Sequence, residues 1–332
     1  MNLAEQKRPS SWQEVVGQRS AKIYFQALAN RSIPMPSSIA LFGPPGTGKT
    51  TMARLLAKSF NCESEGEEKP CGVCNHCKTD IDLYSFSVEK AAHAHECFER
   101  ALNIAKTKSL YGGHKFIILD EIQNASSTSL RTLLEPLEKG FEGVTFILVS
   151  MMPEKLDEIT LGAIDSRCIT QYTHNLSEKD IATALGGDEV AEKIAFYSFG
   201  NLRKAWNIAA KLGESATPDT VDEVEGGGAT TENRKKVWWL VEQGKANEVK
   251  ALVNSFSTDR TTLFKLFYYD ALSIGNVSWV KHLEVYSNSV ITYPISLAFA
   301  AMSLKSSSKT RKKSKHALSM SLKEINDTIN SR

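Results

Sequence analysis

Short apolar runs alternate with segments of helical periodicity along the first half of the chain. Residues 37–60 predict a strand, a Gly/Pro turn and then a helix, because a continuous apolar run changes to a spacing of three or four. Two further apolar runs, at 115–121 and 144–150, predict buried strands, and residues 126–138 between them predict a helix. Strands that alternate with helices are typical of a mostly parallel, doubly wound α/β sheet.

The second half of the chain changes to a helical pattern. Residues 176–212 have helical spacing and open on Ser177, a residue type that caps helices. Residues 214–233 are rich in glycine, acidic residues and threonine, and predict a linker or mobile loop. Helical periodicity returns over 234–304. The tail, 305–332, contains "KSSSKTRKKSKH", which fits either a solvated end or a contact for a polyanion.

The composition fits two or three globular domains, with 332 residues of which 42% are apolar. The net charge of +2 is too small to argue for or against nucleic acid. Residues 1–9 are polar and charged, unlike a secretory signal, and the apolar-leaning run at 290–304 is too short for a bilayer span. We therefore expect a soluble, cytoplasmic protein without a membrane partner.

One stretch, "GPPGTGKTT", matches a phosphate-binding loop in full and follows the first predicted strand. Its glycines let the backbone curl so that N–H groups point at phosphate oxygens, at the positive end of the next helix. Lys49 is placed to balance the β- and γ-phosphate charge, and the Thr50 hydroxyl to bind Mg²⁺. The predicted nucleotide-binding residues of the loop are Gly43, Pro44, Pro45, Gly46, Thr47, Gly48, Lys49, Thr50 and Thr51.

The second predicted strand ends in two acidic residues that complete a hydrolytic site. Asp120 is placed to hold Mg²⁺, and Glu121 to orient and deprotonate the attacking water. Hydrolysis also needs a polar group near the γ-phosphate and a cation for the developing charge. Ser150, at the end of the third strand, suits the first role, and Arg167 and Arg203 are candidates for the second.

Four of the six cysteines are clustered with the spacing C-x8-C-x2-C-x2-C. Without a secretory signal, such a cluster indicates a metal before a disulfide. Four thiolates suit tetrahedral Zn²⁺ and leave no open position for catalysis, which predicts a structural zinc site. Replacement of one thiolate by His76 and an iron–sulfur cluster remain alternatives. The predicted zinc ligands are Cys62, Cys71, Cys74 and Cys77.

In this order, the motifs resemble those of an AAA+ ATPase and, within that family, the γ/τ type of bacterial DNA polymerase III clamp-loader subunit. The similarity covers about residues 5–212. Its motifs are "KRPSSWQEVVGQ", the phosphate loop and its helix, "LDEIQ", Ser150, "DSRC" at 165–168 and "GNLRKA" at 200–205. The resemblance implies an AAA+ P-loop domain with a parallel sheet and a zinc insert, a small helical lid, and an all-α C-terminal collar.

The resemblance also implies roles for residues and segments. Arg8, Val15 and Val16 are expected to line the adenine pocket, Ser150 and Arg203 to sense the γ-phosphate, and Arg167 to complete a neighbouring subunit's site. The implied segments are a nucleotide-binding domain at 1–172 with a zinc module at 61–78, a lid at 173–213, a linker at 214–233, a collar or oligomerisation domain at 234–304, and a basic tail at 305–332.

The implied function is that of an ATPase subunit in a ring-like hetero- or homo-oligomer, expected to be a pentamer. It would use ATP, Mg²⁺ and Zn²⁺ to open a sliding clamp and load it on primer–template DNA during replication, at the nucleoid or in a host cytoplasm. Gln123 departs from the family, which usually has histidine there, and the lid is shorter than usual. A compact, diverged version carried by a virus or plasmid fits these departures.

Three other functions are compatible with parts of the pattern. A helicase loader or branch-migration motor would share the ATPase motifs, but such proteins lack this zinc insert. A stator subunit that does not hydrolyse ATP is at odds with the complete phosphate loop and with Asp120 and Glu121. A zinc-containing nucleoside kinase would leave "DSRC" and "GNLRKA" without a role.

Overall fold

The chain folds into two compact units, residues 1–211 and 212–332. The computed structural model describes residues 3–66, 68–109, 111–258, 260–276, 279–281 and 283. In these described ranges, no helix has the length and apolar character needed to cross a membrane.

The first unit is built on one five-stranded parallel sheet. Its strands are β1 Ser38–Phe42, β2 Leu83–Ser87, β3 Lys115–Asp120, β4 Val144–Ser150 and β5 Ile169–Tyr172. Their order across the sheet is β2-β3-β4-β1-β5, so that β1 lies between β4 and β5. Ile39 of β1 pairs with Ile147 on one side and Ile169 on the other. The arrangement confirms the predicted parallel α/β sheet.

Helices cover both faces of this sheet. The helices from the N-terminus to the end of the first unit are α1 Leu3–Gln6, α2 Arg19–Ala29, α3 Lys49–Phe60, α4 Asn75–Lys78, α5 Ala91–Lys106, α6 Ser127–Lys139, α7 Glu158–Asp165, α8 Glu178–Leu185, α9 Glu189–Ser198 and α10 Leu202–Leu212. Two 3₁₀ turns, Ile122–Asn124 and Pro153–Lys155, follow β3 and β4.

Successive residues of the central strands point to opposite faces of the sheet and so belong to two separate cores. On one face the strands pack with α2 and α3, through buried residues that include Phe25, Ile39, Leu41, Leu56 and Phe116. On the other they pack with α5, α6 and α7, through Phe42, Phe98, Ile117, Leu133 and Ile164. Each buried side chain of this size contributes about 1.5–3 kcal/mol, which fixes the strand ends that carry the predicted chemistry.

The apolar pattern does not predict the two edge strands, β2 and β5. β2 alternates between more and less exposed positions, and every position of β5 is at least partly exposed, in contrast to the fully buried β1 and β4. An edge strand has one neighbour in the sheet and needs no continuous apolar run, so its sequence resembles that of a loop.

The predicted helical segment 176–212 contains α8, α9 and α10. Ser177 caps α8 as expected, since its side chain accepts a hydrogen bond from the backbone N–H of Asp180. Asn201 caps α10 in the same way, accepting from the N–H of Lys204 at 3.0 Å. This cap sets the start of the helix that carries Arg203.

The prediction of a linker over 214–233 is wrong. The second unit contains α11 Pro218–Gly226, α12 Thr231–Glu242, α13 Ala246–Asn254 and α14 Arg260–Ser273. Thr217 caps α11 and Pro218 takes its first position, where a missing N–H costs nothing. Gly227 ends the helix with a φ of 53°. The glycines therefore terminate a helix instead of forming a flexible connection.

An ion pair joins two helices of the second unit. Arg234 of α12 donates from Nε to Asp270 Oδ2 of α14 at 2.8 Å, and from its terminal nitrogens to Asp270 Oδ1 at 3.2 Å and to the carbonyl of Ala229 at 2.7 Å. The collar role expected for 234–304 remains a prediction. The basic tail lies outside the described residues.

Candidate functional site

The phosphate loop runs between β1 and α3, in a conformation that requires glycine at two positions. Gly43 has a φ of 140°, and a Cβ there would lie 2.2 Å from the carbonyl oxygen of Thr173. Gly46 has a φ of 71°, and a Cβ there would lie 1.8 Å from Oδ1 of Asn201. The loop is thus packed closely against the end of β5 and the start of α10.

Lys49 is the first residue of α3 and is only 5% exposed. Its Nζ donates to the carbonyl oxygens of Gly43 and Pro44, at 2.7 and 2.6 Å. Burial lowers the pKa of Lys49 to about 8, the carboxylates of Asp120 and Glu121 oppose this shift, and Arg203 adds to it. A buried ammonium with two carboxylates nearby is suited to the phosphates of a nucleotide.

Thr50 and Asp120 meet at the carboxyl end of β3. The Thr50 hydroxyl donates to Asp120 Oδ2 at 2.7 Å. A hydroxyl and a carboxylate oxygen this close supply the hard oxygen ligands that Mg²⁺ prefers. The two residues fit the predicted magnesium site.

Glu121, Gln123 and Ser150 form a hydrogen-bonded chain beside this pair. Glu121 has a left-handed φ of 60°, and its N–H donates to Asp120 Oδ1 at 2.9 Å. The amide nitrogen of Gln123 donates to Glu121 Oε2, and the Ser150 hydroxyl donates to the Gln123 oxygen at 2.9 Å. The structure therefore brings together Lys49, Thr50, Asp120, Glu121 and Ser150, all predicted from sequence, and adds Gln123 as a link.

A pocket next to the loop is lined by the predicted Arg8, Val15, Val16, Thr51 and Arg203. The structure adds lining residues that the sequence did not predict: Glu5, Lys7, Leu176, Leu202 and Trp206. Lys7 Nζ lies 5.4 Å from the centre of the Trp206 ring, which links the N-terminal segment to α10. Trp206 could have been found from helical spacing, because it follows Arg203 by one turn.

Arg167 lies outside this group. It is 2.9 Å from Glu138 Oε2 of α6 through its terminal nitrogen, and donates to the Ala163 carbonyl at 3.0 Å. The structure therefore does not bring Arg167 to its own chain's nucleotide pocket, and its expected action on a neighbouring subunit remains a prediction.

The four clustered cysteines converge in space. Their sulfur atoms all lie within 4.8 Å of one another, and Cys71 and Cys77 are 3.8 Å apart. Tetrahedral zinc with bonds of about 2.3 Å requires sulfur atoms about 3.8 Å apart, so the set fits one ion. A cluster in which each thiolate binds a different iron would hold them further apart. His76 instead contacts Glu63, at 2.9 Å from Nδ1 to Oε1.

The pKa of one cysteine in the cluster, Cys71, favours its role as a metal ligand. Backbone N–H groups of Cys74 and Val73 lower the pKa of Cys71 to about 6, so its thiolate is available at neutral pH. Burial raises the pKa of Cys77, which disfavours a second uncompensated charge. A divalent cation would balance both charges.

Comparison with known proteins finds similarity to subunits of DNA polymerase III. A family model described as "DNA polymerase III, delta subunit" matches residues 18–176, from the segment before α2 to the end of the sheet. The γ subunit of DNA polymerase III from Buchnera aphidicola subsp. Schizaphis graminum is 33% identical over 223 residues, covering 62% of this chain and 59% of that protein. The chain is therefore similar, over about three fifths of its length, to a γ subunit of DNA polymerase III.

Two further γ/τ proteins show the same similarity. The tau/gamma subunit of Haemophilus influenzae is 32% identical over 201 residues, which is 58% of this chain and 28% of that protein. The tau subunit of Escherichia coli K12 is 32% identical over 222 residues, which is 62% of this chain and 33% of that protein. The chain thus spans less than two thirds of the length of each of these three relatives.

Among solved structures, a variant of RuvB from Thermotoga maritima aligns with 81% of this chain and 91% of its own, at 19% identity and a TM-score of 0.49. A likeness at this score identifies neither a family nor a function for this chain.

Proposed function

We propose that this protein is an ATPase subunit of a sliding-clamp loader. The observation that carries the proposal is the convergence of Lys49, Thr50, Asp120, Glu121 and Ser150 at the carboxyl ends of three neighbouring strands. This edge is where open α/β sheets bind ligands. That the relatives of the chain are γ/τ subunits of DNA polymerase III supports the loader over other ATPases.

In the proposed reaction ATP is the substrate, and Val15, Val16 and Trp206 contact its base and ribose. Lys49 balances the charge of the β- and γ-phosphates. Thr50 and Asp120 would hold a Mg²⁺ ion, and the ion would neutralise part of the phosphate charge. These contacts orient the γ-phosphate toward the end of β4, where Ser150 donates a hydrogen bond to it.

Glu121 accepts a proton from the attacking water, whose oxygen forms a bond to the γ-phosphorus while the bond from that phosphorus to the bridging oxygen breaks, so that ADP and phosphate are released. Arg203, which lines the pocket, stabilises the negative charge that develops on the γ-phosphoryl oxygens. We further propose that Arg167 reaches the corresponding phosphate of the next subunit, so that a complete site forms only between subunits.

ATP binding would favour the state that opens a sliding clamp and grips primer–template DNA, and hydrolysis would release both. A ring-like pentamer in the cytoplasm, as implied by the family resemblance, is the proposed assembly. Contacts with DNA would be to phosphates and to duplex shape, because a loader must act at any primer end.

The cysteine cluster is proposed to bind a structural zinc ion. It lies between the end of α3 and the start of β2. Nearby, Asp80, which precedes β2, forms ion pairs with two residues of α3, Arg54 at 3.0 Å and Lys58 at 3.4 Å. The cluster would thus hold the chain that leads from the phosphate loop's helix to the edge of the sheet.

The proposal is tested by steady-state ATP hydrolysis with the Glu121→Gln variant as a control. We expect the wild-type protein to hydrolyse ATP, and Glu121→Gln to bind ATP with similar affinity while its kcat falls by about 10²–10⁴-fold. Binding without hydrolysis in the wild-type protein and in every subunit mixture would instead indicate a stator. Phosphate transfer to nucleosides would indicate a kinase.

A further inference from the structure

Gln123 is a buried polar residue whose hydrogen bonds run to two functional residues. It lies in the 3₁₀ turn after β3 and is 9% exposed. Its amide oxygen accepts from the Ser150 hydroxyl at 2.9 Å and from the N–H of Met151 at 3.3 Å. Its amide nitrogen donates to the carboxylate of Glu121. One amide group therefore connects the end of β4 with the proposed base at the end of β3.

A bound phosphate would compete with Gln123 for the hydrogen bond that the Ser150 hydroxyl donates. A hydroxyl has a single proton to donate, and in this structure the proton is directed at Gln123, while the Ser150 oxygen accepts from the N–H of Met152 at 3.2 Å. A γ-phosphate oxygen at the end of β4 would compete for the same proton, since charged acceptors form stronger hydrogen bonds than amide oxygens. The bond between Ser150 and Gln123 would then be lost.

We infer that Gln123 is a positioning residue that couples phosphate sensing at Ser150 to the orientation of Glu121. When Ser150 turns to phosphate, the Gln123 oxygen keeps only the N–H of Met151 and the side chain is free to shift. Because the same amide holds Oε2 of Glu121, the shift changes where the base points. This inference rests on the proposed ATPase function, and deepens it by connecting two of its residues.

Two substitutions separate a polar link from a packing role. Gln123→Leu keeps a similar volume but neither donates nor accepts, and we expect kcat to fall by about 10–100-fold with KM and ATP affinity changed less than about threefold. Gln123→His offers one ring nitrogen as a donor and the other as an acceptor. We expect it to retain kcat within about threefold of the wild-type value. A packing role predicts the reverse order, with leucine tolerated and the bulkier imidazole harmful.

Gln123→Glu provides a second test that keeps the length of the side chain. Its carboxylate still accepts from Ser150 but cannot donate to Glu121, and we expect a loss of kcat as large as that of the leucine variant. Asn124→Ala is the matched control, because Asn124 belongs to the same turn and its amide donates to the carbonyl of Val88 at 2.9 Å. We expect the control to keep its kcat. Thermal unfolding and ATP binding verify that each variant is folded.

The link itself is tested by combining Ser150→Ala with Gln123→Leu or Gln123→Glu. If Ser150 acts on Glu121 through Gln123, the double variant should lose no more kcat than the worse single variant, because the shared path is already broken. Effects on kcat that multiply would overturn the inference, as would a folded Gln123→Leu or Gln123→Glu variant with wild-type kcat. Either result leaves the ATPase proposal intact if Glu121→Gln is inactive. Absence of hydrolysis in the wild-type protein overturns both.

Discussion

Lys49 keeps its proton in a position where burial works against charge. Its pKa is lowered to about 8 by burial, so the ammonium begins to lose its proton just above neutral pH. A bound phosphate anion favours the charged form and raises this pKa. At a pH between the pKa of Lys49 in the free protein and its pKa in the ATP complex, Lys49 is neutral in the free protein and protonated in the complex. ATP binding is therefore accompanied by the uptake of a proton.

We therefore expect ATP affinity to fall about tenfold for each pH unit above 8, as one proton is needed for binding. Isothermal titration at pH 8.5–9.5, in buffers with different ionisation enthalpies, measures both the affinity and the proton uptake. In the Lys49→Arg variant the guanidinium does not titrate in this range, and the slope should flatten. An affinity that is flat with pH in the wild-type protein would contradict this role of Lys49.

Gly46 is a second residue whose role can be measured. We expect Gly46→Ala to lose ATP affinity by more than about tenfold, because a Cβ there meets Asn201 at 1.8 Å and must displace either the phosphate loop or the start of α10. Gly143→Ala is a matched control, since Gly143 has nearly the same φ, 70°, but has open space around its Cβ position. The control should lose about 1–2 kcal/mol of stability and keep its ATP affinity. Equal affinities in both variants would contradict the packing argument.

At the scale of elements, the sequence pattern predicted the three central strands, which are buried and lead into the residues of the site. The strands β1, β3 and β4 are continuous apolar runs because they are covered on both faces, and each ends in the residues of the site. The edge strands β2 and β5 and the helix α11 were missed or misjudged. Exposed edge positions need no apolar run, and the glycines after α11 end a helix where they suggested a linker.

The sequence pattern also did not predict contacts between side chains of distant segments. The link from Glu121 through Gln123 to Ser150, and the approach of Asn201 to Gly46, depend on side-chain rotamers and on how α10 packs. Neither leaves a periodic signal. The cysteine spacing, in contrast, was sufficient to predict the convergence of four sulfur atoms that the structure shows.

We expect the cysteine cluster to contribute to the stability of the fold and not to the ATPase reaction. Cys74→Ser should lose bound zinc and lower the midpoint of thermal unfolding, while ATP hydrolysis measured well below that midpoint keeps its kcat. Cys97→Ser is the control, because Cys97 lies on α5 outside the cluster and should retain a full equivalent of zinc. Metal analysis, calorimetry and an ATPase assay decide between these outcomes. Normal stability of a zinc-free Cys74→Ser protein would contradict the structural role.

At the scale of the whole molecule, the separation of Arg167 from its own nucleotide pocket leads to a mixing experiment. Arg167 pairs with Glu138 of α6 outside its own chain's pocket, and the proposal places that arginine at the site of the next subunit. Arg167→Ala should bind ATP normally and lose kcat by about three orders of magnitude in the assembly. Arg131→Ala, an exposed arginine on the same helix as Glu138, should keep its activity.

Mixing two inactive variants tests whether Arg167 acts between subunits. Arg167→Ala supplies an intact Glu121, and Glu121→Gln supplies an intact Arg167. Some interfaces in the mixture then contain both functional residues, and part of the hydrolysis should return. A mixture as inactive as its components, although it assembles, would show that Arg167 does not act on a neighbour.

The most direct test of the loader proposal is the rate of ATP hydrolysis by the full chain, alone and mixed with other loader subunits, in the presence of a sliding clamp and primer–template DNA. We predict that clamp and primed DNA together raise the rate above that with either one, and that Glu121→Gln abolishes the increase. A rate that neither the clamp nor primed DNA changes, in any subunit mixture, would contradict the assignment as a clamp-loader subunit.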